Sequence, residues 1–160
     1  MTVTKVDVNS EAMTLTITAQ FDASVEQVWQ LWANPRKLEQ WWGPPTYPAT
    51  VVEHDLTAGG SVTYFMTSPE GDKHHGWWRI VSVKAPTRLE FEDGFGDADG
   101  RPNPDMPITI AQVAIDALAD GGTTMTIKSN FPTAEVMAQM VEMGMKEGIT
   151  LAVGQMDALL

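Results

Sequence analysis

Histidine is the residue type in this sequence best suited to acid–base or metal chemistry, because the chain contains no cysteine. Its three histidines are His54, His74 and His75. His74 and His75 are adjacent in a predicted β-strand, where successive side chains point to opposite faces, so they cannot bind one metal ion together. His54 alone does not complete a site, and we expect no metal centre.

A second candidate for metal binding is the segment 97–100, whose Asp-x-Asp-Gly pattern matches part of a calcium-binding loop. Phe95 occupies the preceding ligand position and Met106 the position of the closing glutamate, so the pattern fails. The sequence also lacks a Ser-His-Asp motif, a phosphate-binding loop and a dinucleotide fingerprint. We therefore expect no cofactor either.

The strand predicted around Arg79 could place an aromatic residue and a histidine in a binding cavity. If Arg79 faces solvent, alternation puts His74 and Trp78 on the inner face of the sheet. The opposite parity would bring in His75 and Trp77 instead. We expect the first arrangement, in which Trp78 forms the floor of the cavity and His74 offers it a polar group.

Other strands are expected to add side chains to the same inner face. Tyr64 and Met66 alternate with their neighbours in one strand, and Phe91 lies in the next but one. If the cavity were catalytic, Tyr64, His74 or Asp93 would be its general acid or base. No acid and base stand at a recognisable spacing, so binding is the simpler expectation.

The side chains opposite these strands are predicted to come from one long C-terminal helix, residues 133–160, with apolar positions on one face. This segment contains five of the ten methionines, which are flexible and line adaptable apolar surfaces. Gly144 and Gly148 lie one turn apart beside the apolar face, and their missing side chains predict a space between helix and sheet. The neighbouring apolar residues expected to line that space are Val141, Met145 and Ile149.

Trp41 and Trp42 end a predicted short helix and could close the mouth of the cavity. Adjacent residues of a helix cannot both face inward, so we expect one indole to pack in the core and the other to be partly exposed.

The elements that must position these residues follow in the order strand, two short helices, six strands and one long helix. The first strand is predicted at residues 13–21 by clean alternation, and residues 93–107 are predicted to form a long loop. Strands joined by short turns indicate an antiparallel sheet in an α+β domain. We expect one domain over residues 1–160, with residues 1–10 as a poorly ordered extension.

Charge and hydropathy exclude several classes of partner. The formal charge is −11, with a pI near 4.5, which disfavours nucleic acids and anionic lipids because phosphate binding needs a basic surface. The N-terminus lacks an apolar signal core, and no apolar run approaches membrane-spanning length. We therefore expect a cytoplasmic protein that contacts neither nucleic acid nor membrane.

Three stretches match motifs of a known family. Residues 21–29 resemble the F-x-A-x-x-x-x-V-W opening of START-like domains, the SRPBCC superfamily. Residues 32–44 resemble the W-T-x-P-x-x-L-x-x-W-W-x-P motif of one branch, which is similar to the activator of the ninety-kilodalton heat-shock-protein ATPase. Residues 55–60 resemble the D-x-x-x-G-G motif of that branch. The resemblance continues in the same order to residue 160.

This resemblance implies a helix-grip fold, in which a curved antiparallel sheet wraps around a long C-terminal helix and a hydrophobic cavity lies between them. Many members have Gly-Trp in the last helix where this chain has Gly144-Met145. Loss of that indole is expected to enlarge or reshape the cavity. The fold hosts carriers, receptors and cyclases, so it does not fix the function.

Our first hypothesis is that the protein binds a small hydrophobic or aromatic molecule in this cavity. The alternatives are a cyclase- or hydrolase-type enzyme that uses the same cavity, and an interaction protein that stimulates a chaperone ATPase. Homodimer formation also stays open. The residues expected to contact the ligand are Trp41, Trp42, Tyr64, Met66, His74, Trp78, Phe91, Val141, Gly144, Met145, Gly148 and Ile149.

Overall fold

The computed structural model describes residues 3–160. Eight strands are present in this part of the chain: β1 (Val3–Asn9), β2 (Thr14–Phe21), β3 (Ala49–His54), β4 (Ser61–Thr67), β5 (Lys73–Lys84), β6 (Arg88–Phe95), β7 (Thr109–Ala117) and β8 (Thr123–Asn130). The helices are α1 (Val25–Ala33), α2 (Pro35–Trp41), α3 (Ala134–Glu142) and α4 (Met145–Val153), followed by a 3-10 turn, Met156–Leu159.

The strands form one antiparallel sheet in the order β1-β2-β8-β7-β6-β5-β4-β3. Each strand of the middle of the sheet buries alternate side chains, as β2 does with Leu15, Ile17, Ala19 and Phe21. The sheet is curved, and the helices cover its apolar face. The α+β helix-grip fold is thereby confirmed.

An edge strand precedes the first strand that the sequence predicts. Residues Val3–Asn9 pair with β2, whereas the sequence predicts a poorly ordered extension over residues 1–10, of which residues 1 and 2 lie outside the described residues. Within β1 only Val3 and Val6 are half-buried and the other side chains are exposed. Such a segment shows little hydrophobic alternation, which is why pattern alone does not reveal it.

Two short helices follow β2 and begin with side-chain caps. Ser24 accepts a hydrogen bond from the Gln27 backbone N–H, and the Gln27 side chain accepts one from the Ser24 N–H, which forms a capping box. Asn34 caps α2, and Pro35 occupies its first position. Both predicted short helices are therefore present, and the second delivers Trp41 and Trp42 to the core.

The C-terminal segment contains a break, so the prediction of one uninterrupted helix over residues 133–160 is wrong. Helix α3 ends at Glu142 with Met143 as its cap, and Gly144 adopts a left-handed conformation with φ of 93°. The Gly144 N–H donates to the Val141 carbonyl, and its own carbonyl accepts the first hydrogen bond of α4, from Gly148. Glycine carries no Cβ and adopts this conformation readily, so it ends one helix and begins the next.

Strand β6 is longer than the alternation up to Phe91 predicts. It continues through Phe95, and Asp93 pairs with Trp78 of β5 and Thr109 of β7. The prediction that residues 93–107 form a loop is therefore wrong for its first three residues. Those residues extend the inner face of the sheet towards α3 and α4.

The buried side chains form two clusters. The larger one joins α1, α2 and most strands and includes Trp32, Trp78 and Phe91. The smaller one comprises Leu15, Phe131, Met137 and Met140 beneath α3. The half-buried Ile149 of α4 packs against both clusters, and the candidate site lies beside it.

Candidate functional site

A cavity of about 410 Å³ lies between the inner face of the sheet and the two C-terminal helices. That volume is within the range of sites that hold small molecules. Its walls come from the end of α2 and the following loop, from β4 to β7, and from α3, Gly144 and α4. Most of the surface is contributed by apolar side chains and backbone, so a ligand here would gain mainly by leaving water.

Eight residues expected from the sequence line this cavity. They are Trp42, Tyr64, Met66, His74, Gly144, Met145, Gly148 and Ile149. The helix break creates part of the space: an added Cβ would meet no atom within 4 Å at either Gly144 or Gly148. The two glycines therefore leave open volume on the helical side of the cavity, as their spacing predicts.

Four residues expected to contact a ligand lie outside the cavity wall. Trp78 is on the inner face, as the parity argument predicts, but it is fully buried and stacks on Phe91 with a centroid distance of 4.1 Å. These two rings support the cavity from behind. Val141 packs against the smaller cluster beneath α3, and Trp41 lies in the core.

Trp41 and Trp42 are both buried, with exposed fractions of 0% and 9%, so the expectation that one would be partly exposed is wrong. Trp41 lies within α2 and donates from Nε1 to the Leu31 carbonyl at 2.8 Å. Trp42 is the residue that ends the helix, and α4 covers this side of the sheet. The expectation that adjacent helical residues cannot both be buried fails here, because other parts of the protein cover the face of α2 that would be exposed on an isolated helix.

Ten lining residues lie outside the set predicted to contact a ligand, although Asp93 is among the possible acids or bases named from the sequence and His75 is the alternative to His74. They are Pro44, Tyr47, His75, Gly76, Asp93, Gly94, Phe95, Thr109, Met140 and Met143. Continuing the alternation of β6 from Phe91 would have placed Asp93 and Phe95 on the inner face. The turn-forming residues that follow Asp93 favoured a loop instead. Met140 lies near the end of α3, and Met143 caps that helix.

The mouth of the cavity is marked by its exposed lining residues. Tyr47 is 37% exposed and Met143 57% exposed, and His74 is also exposed. The Tyr47 and His74 rings lie together on one side, with centroids 5.9 Å apart. Met143 belongs to the turn between α3 and α4. The exposed part of the wall therefore contains an aromatic pair and a flexible methionine.

The inner end of the cavity holds its two most perturbed titratable groups. Burial raises the pKa of Asp93 to about 7. Burial and the nearby Asp93 charge both raise the pKa of Tyr64, which stays a neutral phenol. The Asp93 residue is only half-buried because its side chain borders the open cavity.

Indole N–H groups surround the Tyr64 hydroxyl without fully pairing with it. Those of Trp42 and Trp78 lie near the hydroxyl, but neither forms a hydrogen bond of ordinary geometry. Together with Trp32, they are the buried side-chain donors left without a partner among residues 3–160. An indole N–H can only donate, so this end of the cavity has an excess of donors around one oxygen.

A metal centre needs several histidine or acidic side chains close together within the described residues 3–160. No cluster of three or more His, Asp or Glu side chains there could hold a metal ion. Asp93 is the acidic side chain of the wall, and His74 and His75 are its histidines. Also within residues 3–160, no helix is both long and apolar enough to span a membrane.

The family model described as Activator of Hsp90 ATPase homolog 1-like protein matches residues 22–160. The chain belongs to this family. The Activator of Hsp90 ATPase homolog 1-like family is part of the SRPBCC superfamily, so the resemblance found in the sequence motifs is confirmed. Folds of this superfamily commonly bind hydrophobic ligands.

Solved structures of similar proteins agree with this family assignment. A crystal structure of a Mycobacterium smegmatis protein is 47% identical, covers 99% of this chain and 96% of its own, and has a TM-score of 0.90. A solution structure from Arthrobacter aurescens is also 47% identical, with coverages of 99% and 91% and a TM-score of 0.94. A Staphylococcus epidermidis solution structure is 27% identical, with coverages of 100% and 93% and a TM-score of 0.82. No curated protein matches the sequence.

Proposed function

We propose that this protein binds a small hydrophobic or aromatic molecule in the cavity between the sheet and helices α3 and α4. The observation that carries the proposal is the open, largely apolar cavity of about 410 Å³. A sealed core would have favoured a protein whose role is only to contact a partner. The adaptable methionines Met140, Met143 and Met145 on the helical side support a ligand of irregular shape.

The test is a titration with a neutral apolar probe, naphthalenemethanol, followed by tryptophan fluorescence. The variant Gly148→Phe places a ring in the open space beside residue 148 and should abolish probe binding. Its matched control is Leu151→Phe, on the same helix at a residue that is 56% exposed and does not line the cavity. Equal binding by the wild type and Gly148→Phe would show that the probe does not use this cavity.

An enzyme of the cyclase or hydrolase type is a second candidate, favoured by the pair Tyr64 and Asp93. A carboxyl group with a pKa of about 7 can accept or donate a proton near neutral pH, and the neutral Tyr64 hydroxyl beside it can donate a hydrogen bond. Turnover of naphthyl esters that follows the titration of Asp93 and disappears in Asp93→Asn would support this candidate. Binding without turnover would favour the first.

Stimulation of a chaperone ATPase is a third candidate, and it rests on the description of the family. A direct assay of chaperone ATPase activity in the presence of this protein tests it. An increase that persists in the blocked variant Gly148→Phe would separate that role from ligand binding.

A further inference from the structure

Asp93 carries a carboxyl group with no counter-charge inside an apolar cavity. Its side chain points to the same side of the sheet as Phe91 and borders the cavity wall. Within residues 3–160 it makes no hydrogen bond and no ion pair, and the two ion pairs found there, Arg36–Glu39 and Arg88–Asp116, lie elsewhere. A buried carboxylate in this position is costly unless a positive group pairs with it.

None of the elements around Asp93 supplies such a positive group to the wall. Lysine and arginine are absent from the lining residues, and Lys146 of α4 lies between lining residues without joining them. On β6 itself, Glu92 points to the opposite face of the sheet. The titratable side chains that share the cavity with Asp93 are Tyr47, Tyr64 and His74. His75 also borders the cavity, but its ring lies beside Phe65 and Gly100.

Aromatic rings border the cavity that contains Asp93. The rings of Trp42 and Tyr64 meet edge to face with centroids 6.0 Å apart, and both border the cavity. Aromatic faces attract cations through the ring quadrupole. The formal charge of −11 over the whole chain would also attract a positive ligand from a distance.

We propose that the cavity takes an apolar molecule that carries a protonated amine, with the ammonium group paired to Asp93 and the apolar body against the methionines of α3 and α4. This inference rests on the proposed binding function and names its ligand class. The raised pKa of Asp93 adds a consequence: pairing with an ammonium group favours the ionised carboxylate, so amine binding should strengthen as the pH rises.

The experiment compares three probes of one shape: naphthylmethylamine, naphthalenemethanol and naphthoic acid. At about pH 8.5 the amine should bind at least tenfold more tightly than the alcohol, roughly the effect of one charge-assisted hydrogen bond over a neutral one, and the acid should not bind. From about pH 8.5 to about pH 5.5 the preference for the amine should fall, although an alkylamine stays protonated throughout.

The variant Asp93→Asn keeps the size of the side chain and removes its charge. It should bind the amine and the alcohol with similar affinity and show no change in preference with pH. His74→Gln and His75→Gln are the controls, because a protonated histidine in the wall would also repel an amine at low pH. Both histidine variants should keep the pH-dependent preference.

The inference fails if the wild type binds the alcohol as tightly as the amine, if Asp93→Asn keeps the preference for the amine, or if a histidine variant removes the pH dependence. Alcohol binding that Gly148→Phe abolishes, without any preference for the amine, would leave the proposed binding function standing and overturn the ligand class. Absence of binding by all three probes would overturn both.

Discussion

At the scale of single residues, Tyr64 occupies its place because residue 76 is a glycine. The two residues pair across β4 and β5, and a Cβ on Gly76 would collide with the phenol ring and hydroxyl of Tyr64. Gly148 shows the opposite situation, since a Cβ there would enter open space. The two glycines face one cavity from opposite walls and should respond differently to the same added methyl group.

Gly76→Ala should lower the free energy of unfolding by about 1–3 kcal/mol, because the Tyr64 ring must move out of its packed position. Gly148→Ala should raise it by up to about 1 kcal/mol, because alanine favours the helix and meets no neighbour. Urea denaturation of both variants measures the two values. Destabilisation by Gly148→Ala would mean that the space beside α4 is closed.

Asp93 should make the protein less stable as the pH rises. Its pKa is about 7 in the folded chain against 3.8 for a free side chain, so the folded state binds more protons between about pH 4 and pH 7. Stability therefore falls across that window and levels off above it, by at most about 4 kcal/mol.

Asp93→Asn removes this titration and should stabilise the protein more at pH 8 than at pH 4. Denaturation midpoints of the wild type and the variant across that range provide the measurement. If the stability of the wild type relative to Asp93→Asn increased with pH, this result would contradict burial of the Asp93 charge.

The sequence reveals part of this site and misses part of it for physical reasons. Alternation within a strand places Tyr64, Met66 and His74 on one face, and the structure finds all three in the cavity wall. The sequence names Asp93 only as a possible acid or base and predicts it in a loop, because glycine and aspartate follow it and those residues favour turns. Its pairing with both Trp78 and Thr109 keeps it in the sheet, and that tertiary effect is not visible in local sequence.

At the scale of elements, the break between α3 and α4 decides the shape of the cavity. Met140 and Met143 approach it from the end of α3, and Met145 and Ile149 approach it from α4. In a continuous helix these residues would follow one helical axis, with 3.6 residues per turn. Apolar periodicity predicts the helical state of both pieces, but one glycine between them redirects the chain.

Gly144→Ala separates the broken helix from a continuous one. At a φ of 93°, a residue with a Cβ is strained, so the variant should lose about 1–2 kcal/mol of stability. In an uninterrupted helix the same change would gain up to about 1 kcal/mol. Urea denaturation gives the sign, and Gly148→Ala in the same helical region provides the comparison.

At the scale of the whole molecule, the chain carries a large negative charge, whereas the wall of the cavity is mostly apolar. The chain has 21 acidic and 10 basic residues, and lysine and arginine are absent from the cavity wall. Binding of the neutral probe naphthalenemethanol should therefore depend only weakly on salt. It should also show a negative heat-capacity change, because apolar surface leaves water.

Calorimetric titrations at low and high salt and at several temperatures measure both quantities. A strong loss of alcohol binding in high salt would place the probe on the charged surface rather than in the cavity.

The overall architecture is the part that the sequence predicts best. Runs of alternating residues joined by short turns predict an antiparallel sheet, and all six strands expected after the two short helices are present. Strand β1 is missed because an edge strand buries little and so leaves little pattern. The layers of the fold follow from local patterns, whereas its edges and its break depend on contacts between distant segments.

The cluster of Trp32, Trp41, Trp42 and Trp78 has an optical consequence. Neighbouring ring centroids in it lie 4.8–6.1 Å apart, and the rings meet at steep or tilted angles. Chromophores this close share their electronic excitation, and their fixed mutual angles give the shared state a strong handedness. The folded protein should therefore show intense near-ultraviolet exciton circular dichroism. Because Trp42 also borders the cavity, an occupant would alter the signal of all four indoles together, which gives an unlabelled readout of occupancy.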